Sequence, residues 1–114
     1  MKTINLALKR VYFNEILSGE KTEECRAFTD YYLDRLTVRN EDGSFIAFRK
    51  VDALHFFCGK YPKAPEIIVE VKEICLYPEM AWEKRTEENS EFVMVLGNIL
   101  EKKNCWMEFL TEKS

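Results

Sequence analysis

Three charged side chains that could act together on one ligand lie close to each other near the start of the chain. Lys21, Glu24 and Arg26 follow Gly19, a residue that can adopt the left-handed conformation that ends a helix. The next residues alternate as in a strand, so that Thr22, Glu24 and Arg26 share one face, with Glu24 and Arg26 roughly 7 Å apart. Lys21 then lies at the mouth of this strand. A carboxylate acceptor and a forked guanidinium donor at this spacing can serve one small ligand.

The elements that must position these residues begin with a strand and a helix. Alternating apolar residues predict a strand over residues 4–8. A helix is predicted next, because apolar side chains form one stripe before Gly19: Tyr12, Phe13, Ile16 and Leu17. Beyond Arg26, Thr29 or Asp30 can cap a second short helix. The side chains of this helix that we expect to face inward are Tyr32, Leu33 and Leu36.

The rest of the chain reads mostly as strands separated by turns. A polar loop is predicted over 39–44, and a helical turn or two over 80–85. Strands are predicted over 45–48, 52–58, 67–74 and 92–102, the last bent at Gly97, with Trp106, Phe109 and Leu110 in a further strand. This order predicts an α+β fold, a small mixed β-barrel, open or closed, with short flanking helices. Such a barrel has a cleft at its mouth where the charged residues can converge.

Length and composition indicate one globular domain spanning residues 1–114. Hydrophobic residues make up 46% of the chain and charged residues 32%, a balance that argues against disorder. The fifteen aromatic residues can fill a core or supply stacking surfaces. For the aromatic residues closest to the charged group we expect mainly core and helix packing, with base stacking as the alternative: Tyr12, Phe13, Phe28, Tyr31 and Tyr32.

The net charge of −3 argues against a general polyanion binder, because such proteins usually carry a strong basic excess. The charge is unevenly distributed, however, with +2 over residues 1–65 and −5 over residues 66–114. A phosphate-bearing partner should therefore meet the first half of the chain. Ordinary variation of the protein surface is the alternative explanation for so small an asymmetry.

Cysteine and histidine usage gives no indication of a metal or a cofactor. The four cysteines form no C-x-x-C pair, and the single histidine, His55, stands between apolar residues where a structural role is expected. The first ten residues do not resemble a signal peptide, and no window is apolar enough for a membrane span. We therefore expect a cytoplasmic protein without membrane contact, metal or cofactor. The sequence does not indicate its oligomeric state.

The pattern Gly-x-Lys-x-x-Glu-x-Arg, matched at Gly19, Lys21, Glu24 and Arg26, resembles the signature of the ASCH domain, a small relative of the PUA domains that bind RNA. The segments around the pattern also resemble this family, so that the likeness covers almost the whole chain. The resemblance implies a PUA-like barrel over residues 1–114. It also implies a cleft for RNA, a nucleotide or a modified nucleoside, formed by Lys21, Glu24, Arg26 and Tyr12.

Two functions are compatible with this cleft. In a binding module, Lys21 and Arg26 hold phosphate or carbonyl oxygens, and Glu24 accepts a hydrogen bond from an exocyclic amine such as that of cytosine. In the alternative, the protein resembles the small bacterial ASCH proteins that are amidohydrolases on 4-acetylcytidine and use a lysine, a threonine and a distant glutamate. Lys21 matches the lysine, and Glu24 occupies the position of the threonine. The distant glutamate has no single counterpart among the candidates: Glu79, Glu83, Glu87 and Glu88.

The chemistry of lysine favours the binding function. A lysine side chain is almost wholly protonated at neutral pH unless burial removes its charge, and nearby carboxylates stabilise the protonated form. Lys21 has three such neighbours in the sequence: Glu20, Glu23 and Glu24. For Lys21 and Glu24 to act as a catalytic pair, the fold would have to turn Glu20 and Glu23 away and bury Lys21.

Overall fold

The structure of the protein is a computed structural model that describes residues 1–105. Within them lie two helices, α1 (Arg10–Ser18) and α2 (Asp30–Leu36), and a short 3-10 turn at Trp82–Lys84. Seven strands occupy most of the remaining chain: β1 (Thr3–Ala7), β2 (Glu23–Ala27), β3 (Thr37–Arg39), β4 (Phe45–Phe48), β5 (Ala53–Phe57), β6 (Glu66–Tyr77) and β7 (Glu91–Lys103).

Five of the strands form one mixed sheet in the order β1-β5-β6-β7-β2. The β1–β5 pair is parallel, and the other neighbours in this sheet are antiparallel. The sheet forms a half-barrel, which confirms the expected α+β class. Strands β3 and β4 make a separate two-stranded sheet. Because β1 and β2 are the two outer strands of the large sheet, the segment from residue 3 to residue 27 supplies both of its edges.

The core lies between one face of the large sheet and the two helices. Phe13 and Ile16 of α1 and Leu33 and Leu36 of α2 are buried against it. The central strands contribute side chains from alternate positions, as their sequence period requires: Leu54 and Phe56, Ile67 and Val69, and Phe92, Met94 and Leu96.

A bulge distorts β7 at Gly97, where the sequence predicts a bend. Val69 pairs with Ile99 and Val71 pairs with Leu96, so β7 carries one residue more than β6 between these pairs. Glu70 fills the gap, and its Oε1 accepts a hydrogen bond of 3.1 Å from the backbone N–H of Asn98. A Cβ on Gly97 would collide with this carboxylate, so a larger residue here would have to displace the Glu70 side chain.

Both helices end or begin at residues that the sequence singles out. Gly19 has φ 87°, and the backbone N–H of Lys21 donates to the carbonyl of Glu15 at 3.0 Å, which fixes the turn after α1. Thr29 is the N-cap of α2, because its side chain accepts from the N–H of Tyr32. The start of β2 therefore lies against the end of α1.

Some predicted elements differ in extent from the observed ones. Strand β3 was not predicted, because three residues are too few for a period-two pattern. The helical turn predicted over 80–85 is reduced to three residues. The strand predicted around Trp106, Phe109 and Leu110 lies outside the described residues. Within residues 1–105, no helix has both the length and the apolar content needed to span a membrane.

Candidate functional site

The turn after α1 and the strand β2 position the three charged residues of the sequence pattern. Lys21 lies in the turn, and Glu24 and Arg26 lie on β2, which pairs only with β7 within the large sheet. Glu24 is opposite Met94 and Arg26 is opposite Phe92, two residues whose side chains are buried. Because opposite residues in an antiparallel pair share a face, Glu24 and Arg26 point toward the interior of the half-barrel. Only 5% of Glu24 is exposed.

The three residues form one connected charge cluster around the Glu24 carboxylate. Oε2 of Glu24 accepts from Nε of Arg26 at 2.8 Å and lies 2.7 Å from its Nη2. Oε1 of Glu24 lies 3.5 Å from Nζ of Lys21. One carboxylate thus holds both cations, and each oxygen faces a different one. We refer to Lys21, Glu24 and Arg26 as the charge cluster.

Arg26 is engaged on all sides by the protein itself. Its Nη1 donates to the hydroxyl of Tyr32 at 3.1 Å, and its Nη2 donates to the carbonyl of Ala7 at 3.4 Å, in addition to the contacts with Glu24. A guanidinium has five N–H donors, and these contacts use four of them. Since Ala7 ends β1, Arg26 links β2 to β1, the two outer strands of the half-barrel.

Lys21 is the more available cation of the charge cluster. Its side chain is 26% exposed and has the Glu24 carboxylate as its ion-pair partner. Nζ also lies 5.8 Å from the ring centroid of Tyr12, a residue of α1 that is 46% exposed. Two cations and one carboxylate leave the charge cluster with a net positive charge. Because Arg26 makes the closer contact with Glu24, the uncompensated positive charge lies mainly at Lys21.

Two different grooves border the charge cluster. The groove beside Lys21 has a volume of about 230 Å³ and lies between the end of α1 and the bulge at Gly97. The groove beside Arg26 has a volume of about 410 Å³ and has an acidic rim formed by Glu87, Glu88 and Glu91. The buried Glu24 lies between the two grooves and lines neither.

The aromatic residues near the charge cluster divide into two groups. Phe13 and Phe28 are buried, as expected for core residues. Tyr12 and Tyr31 are about half exposed, so they lie on the helices outside the core. The ring of Tyr31 packs edge-on against that of Tyr32 at 4.9 Å, and the guanidinium of Arg35 lies 3.4 Å above the Tyr31 centroid. Sequence reasoning missed the hydroxyl of Tyr32 as a partner of Arg26, because no spacing rule relates a helix residue to the preceding strand.

The cysteines are poorly suited to act as nucleophiles. Burial is the first cause that raises the pKa of the Cys25 thiol, and the neighbouring Glu91 carboxylate raises it further. Burial likewise raises the pKa of the other three thiols: Cys58, Cys75 and Cys105. Nucleophilic cysteine chemistry needs the thiolate, and a raised pKa favours the neutral thiol.

The single histidine is engaged with a neighbouring strand. Nε2 of His55 lies 2.7 Å from Oε1 of Glu66, across the β5–β6 pair. Among residues 1–105, no group of three or more His, Cys, Asp or Glu side chains is placed to hold a metal ion.

Comparison of the chain with protein-family models, with curated proteins and with solved structures finds no match. The residues of the site therefore have to indicate its function. Two features of the site are the most informative: the net positive charge of the charge cluster and the half-exposed Tyr12 beside Lys21.

Proposed function

We propose that the protein binds single-stranded RNA or a nucleotide at the charge cluster, as its resemblance to ASCH and PUA-like domains suggests. The observation that supports this most directly is the position of Lys21. Glu24 compensates the positive charge of Lys21 only partly, because it is shared with Arg26. The ring of the half-exposed Tyr12 lies beside this charge. Phosphate groups need a cation, and unpaired bases need an aromatic face.

The geometry supports different tasks for the three charged residues in this proposal. Lys21 would contact a phosphate oxygen, and Tyr12 would stack on an adjoining base or ribose. Glu24 is too deeply buried, and too fully engaged, to serve as the main acceptor for a base amine. It instead holds Lys21 and Arg26 in place. Arg26 has one N–H left for a ligand after its bonds to Glu24, Tyr32 and Ala7.

A second stacking surface on α2 supports a ligand longer than one nucleotide. Tyr31 is half exposed, and the guanidinium of the exposed Arg35 lies over its ring. Tyr32 connects this pair to Arg26, because it packs against Tyr31 and accepts from the guanidinium. Tyrosine faces alternating with cations are typical of surfaces that bind single-stranded nucleic acid.

The charge cluster favours binding over the amidohydrolase alternative. An amine that acts as a base or nucleophile must have its nitrogen free for the substrate, whereas Nζ of Lys21 is ion-paired with the Glu24 carboxylate at 3.5 Å. The carboxylate itself is held by Arg26 and is therefore poorly placed to remove a proton.

Binding can be tested with a fluorescein-labelled single-stranded RNA and with cytidine and adenosine monophosphates. We expect Lys21→Ala to weaken RNA binding about tenfold or more, since a charge-assisted contact contributes about 1.5–3 kcal/mol. Lys72→Ala is the matched control, because Lys72 is an exposed lysine on β6. Fluorescence anisotropy at several salt concentrations should show a smaller salt dependence for Lys21→Ala.

The same protein should release no acetate from 4-acetylcytidine at a useful rate. Rapid release that disappears in Lys21→Ala would contradict the binding proposal and support the hydrolase. Equal RNA affinities for the wild type, Lys21→Ala and Lys72→Ala would show that the charge cluster is not the binding site.

A further inference from the structure

The groove beside Lys21 is lined by apolar, neutral polar and charged residues in different places. Its floor consists of side chains that are at least nine-tenths buried: Ile16, Val69 and Leu96. Three neutral polar residues also line it: Ser18, Thr22 and Asn98. Among the described residues that line it, Lys21 is the one with a charge. The groove therefore combines an apolar floor with a single cation at its edge.

The shape of the groove beside Lys21 depends on the bulge in β7. The extra residue at Gly97 moves the backbone of β7 away from regular pairing beside Leu96. Glu70 supports this displaced backbone through the N–H of Asn98, with its carboxylate against Gly97. Since Glu70 does not line the groove, the support comes from outside the space that a ligand would occupy.

The charge at the edge is available to a ligand. Glu24 is shared between two cations, and its closest contacts are with Arg26, at 2.7 and 2.8 Å. The contact with Lys21 is longer, at 3.5 Å. An ammonium has three N–H donors, so one anionic oxygen can bind Lys21 without displacing Glu24.

We propose that this groove is a binding site for a small organic anion, a carboxylate or phosphate monoester with a compact apolar body. The anionic group pairs with Lys21, and the body covers the apolar floor formed by Ile16, Val69 and Leu96. The volume of about 230 Å³ limits the body to roughly one ring. A neutral molecule lacks the charge that Lys21 requires, and a small inorganic anion leaves the floor exposed to water.

This inference goes beyond nucleic-acid binding, but the two functions share Lys21. An organic anion in the groove would compete with a phosphate of RNA for the same ammonium group. It would not cover Tyr31 or Arg35, which lie on α2. A small anion would therefore weaken RNA binding without abolishing contacts along that helix.

The test uses the full chain and four probes: benzoate, phenyl phosphate, inorganic phosphate and benzyl alcohol. Binding is followed through the amide shifts of Gly19, Thr22, Gly97 and Asn98 in ¹H–¹⁵N spectra. We expect benzoate and phenyl phosphate to shift these amides. Benzyl alcohol and inorganic phosphate should each bind about tenfold more weakly, a factor that corresponds to about 1.4 kcal/mol.

Two variants distinguish the contribution of the Lys21 charge to benzoate binding from that of the groove, and a third serves as the control. Lys21→Met should weaken benzoate about tenfold while the spectrum stays folded, and Lys72→Met should leave its affinity unchanged. Thr22→Trp should block the groove mouth and abolish benzoate binding, while the backbone carbonyl of residue 22 keeps its bond to Leu96.

The proposal is overturned if benzyl alcohol binds as tightly as benzoate, if the benzoate shifts fall outside the groove, or if Thr22→Trp binds benzoate like the wild type. The outcome is independent of RNA binding. Absence of RNA binding together with benzoate binding rejects only the nucleic-acid function, and the reverse result rejects only the organic-anion site.

Discussion

Glu24 determines how the charge cluster works, because its two oxygens hold two cations on different sides. Oε2 holds Arg26 in contact with Tyr32 and Ala7, and Oε1 keeps Lys21 at the edge of the groove. A neutral side chain of the same size would leave two cations close together without a counter-charge. The carboxylate is therefore needed for the geometry even though a ligand does not reach it.

Replacing Glu24 by Gln should lower the free energy of unfolding by about 1–3 kcal/mol, because a buried carboxylate that serves two cations is removed. Glu20→Gln is the matched control. Glu20 is exposed and contacts the hydroxyl of Ser18, so its replacement should change stability by less than about 0.5 kcal/mol. Urea denaturation measures both. Equal stability of the two variants would show that the charge cluster contributes little to folding.

At the scale of elements, α2 affects the site through its first turn. The side chain of Thr29 caps the helix at the N–H of Tyr32, and the hydroxyl of Tyr32 accepts from Arg26. The capping residue therefore also fixes the aromatic partner of the guanidinium.

Thr29→Ala should cost about 1 kcal/mol of stability, since an N-cap oxygen is lost. Thr29→Ser keeps the oxygen and should stay within about 0.5 kcal/mol of the wild type. Thermal denaturation compares the three proteins. A loss of the same size for Ser and Ala would mean that the methyl group of Thr29, and not its hydroxyl, is what matters.

The start of β1 depends on a carboxylate and should respond to pH. Oδ2 of Asp52 accepts from the backbone N–H of Lys2 at 2.7 Å, and the N–H of Asp52 donates back to the carbonyl of Lys2. The hydrogen bond from Lys2 is the main cause that lowers the pKa of Asp52 below its usual 3.8. A carboxyl with a lowered folded-state pKa stabilises the fold above its unfolded pKa, and this stabilisation is lost as the pH falls through the folded value.

The difference in the free energy of unfolding between the wild type and Asp52→Ala should therefore reach its full size above about pH 4–5. It should disappear in more acidic solution. Lys50→Ala should keep most of this pH dependence, because the Lys50 ammonium is a smaller cause than the Lys2 backbone. Urea midpoints measured across the acid range provide the comparison. A difference that stays constant down to the lowest pH would exclude titration of Asp52 as its source.

At the scale of the whole molecule, Arg26 bridges the two edges of an open sheet. Strands β1 and β2 are the outer strands of the half-barrel, and the guanidinium of Arg26 reaches from β2 to the carbonyl of Ala7. The residue that the sequence pattern marks as a ligand contact thus also belongs to the scaffold.

Arg26→Ala should cost about 1–3 kcal/mol and should speed amide hydrogen exchange mainly in β1 and β2. Val69→Ala, a truncation in the middle of the core, should cost about 2–4 kcal/mol and raise exchange throughout the sheet. Arg35→Ala is the control, since Arg35 lies on the exposed side of α2. Uniform exchange changes in Arg26→Ala would argue against a local role at the two edges.

The sequence predicted the elements better than their arrangement. Alternation and the breaks at Gly19 and Gly97 located most strands and the first helix, because these signals are local. The pairing of strands depends on residues that are distant in the chain, so no local pattern in the sequence indicated that β1 lies parallel to β5. The shared face of Glu24 and Arg26 was predictable from the strand period. Their burial was not, since it depends on the placement of β7 and on the hydroxyl of Tyr32.

The topology also has a consequence for the order in which the protein acquires its site. Lys21, Glu24 and Arg26 are made early in synthesis, but β2 has no partner until β7 has been made. Pairings between distant segments form slowly, because a long loop must close first. A nascent chain that ends before residue 91 holds every residue of the charge cluster without the strand that orients them. During refolding, ligand binding should therefore appear with the slowest phase, when the last strand joins the sheet.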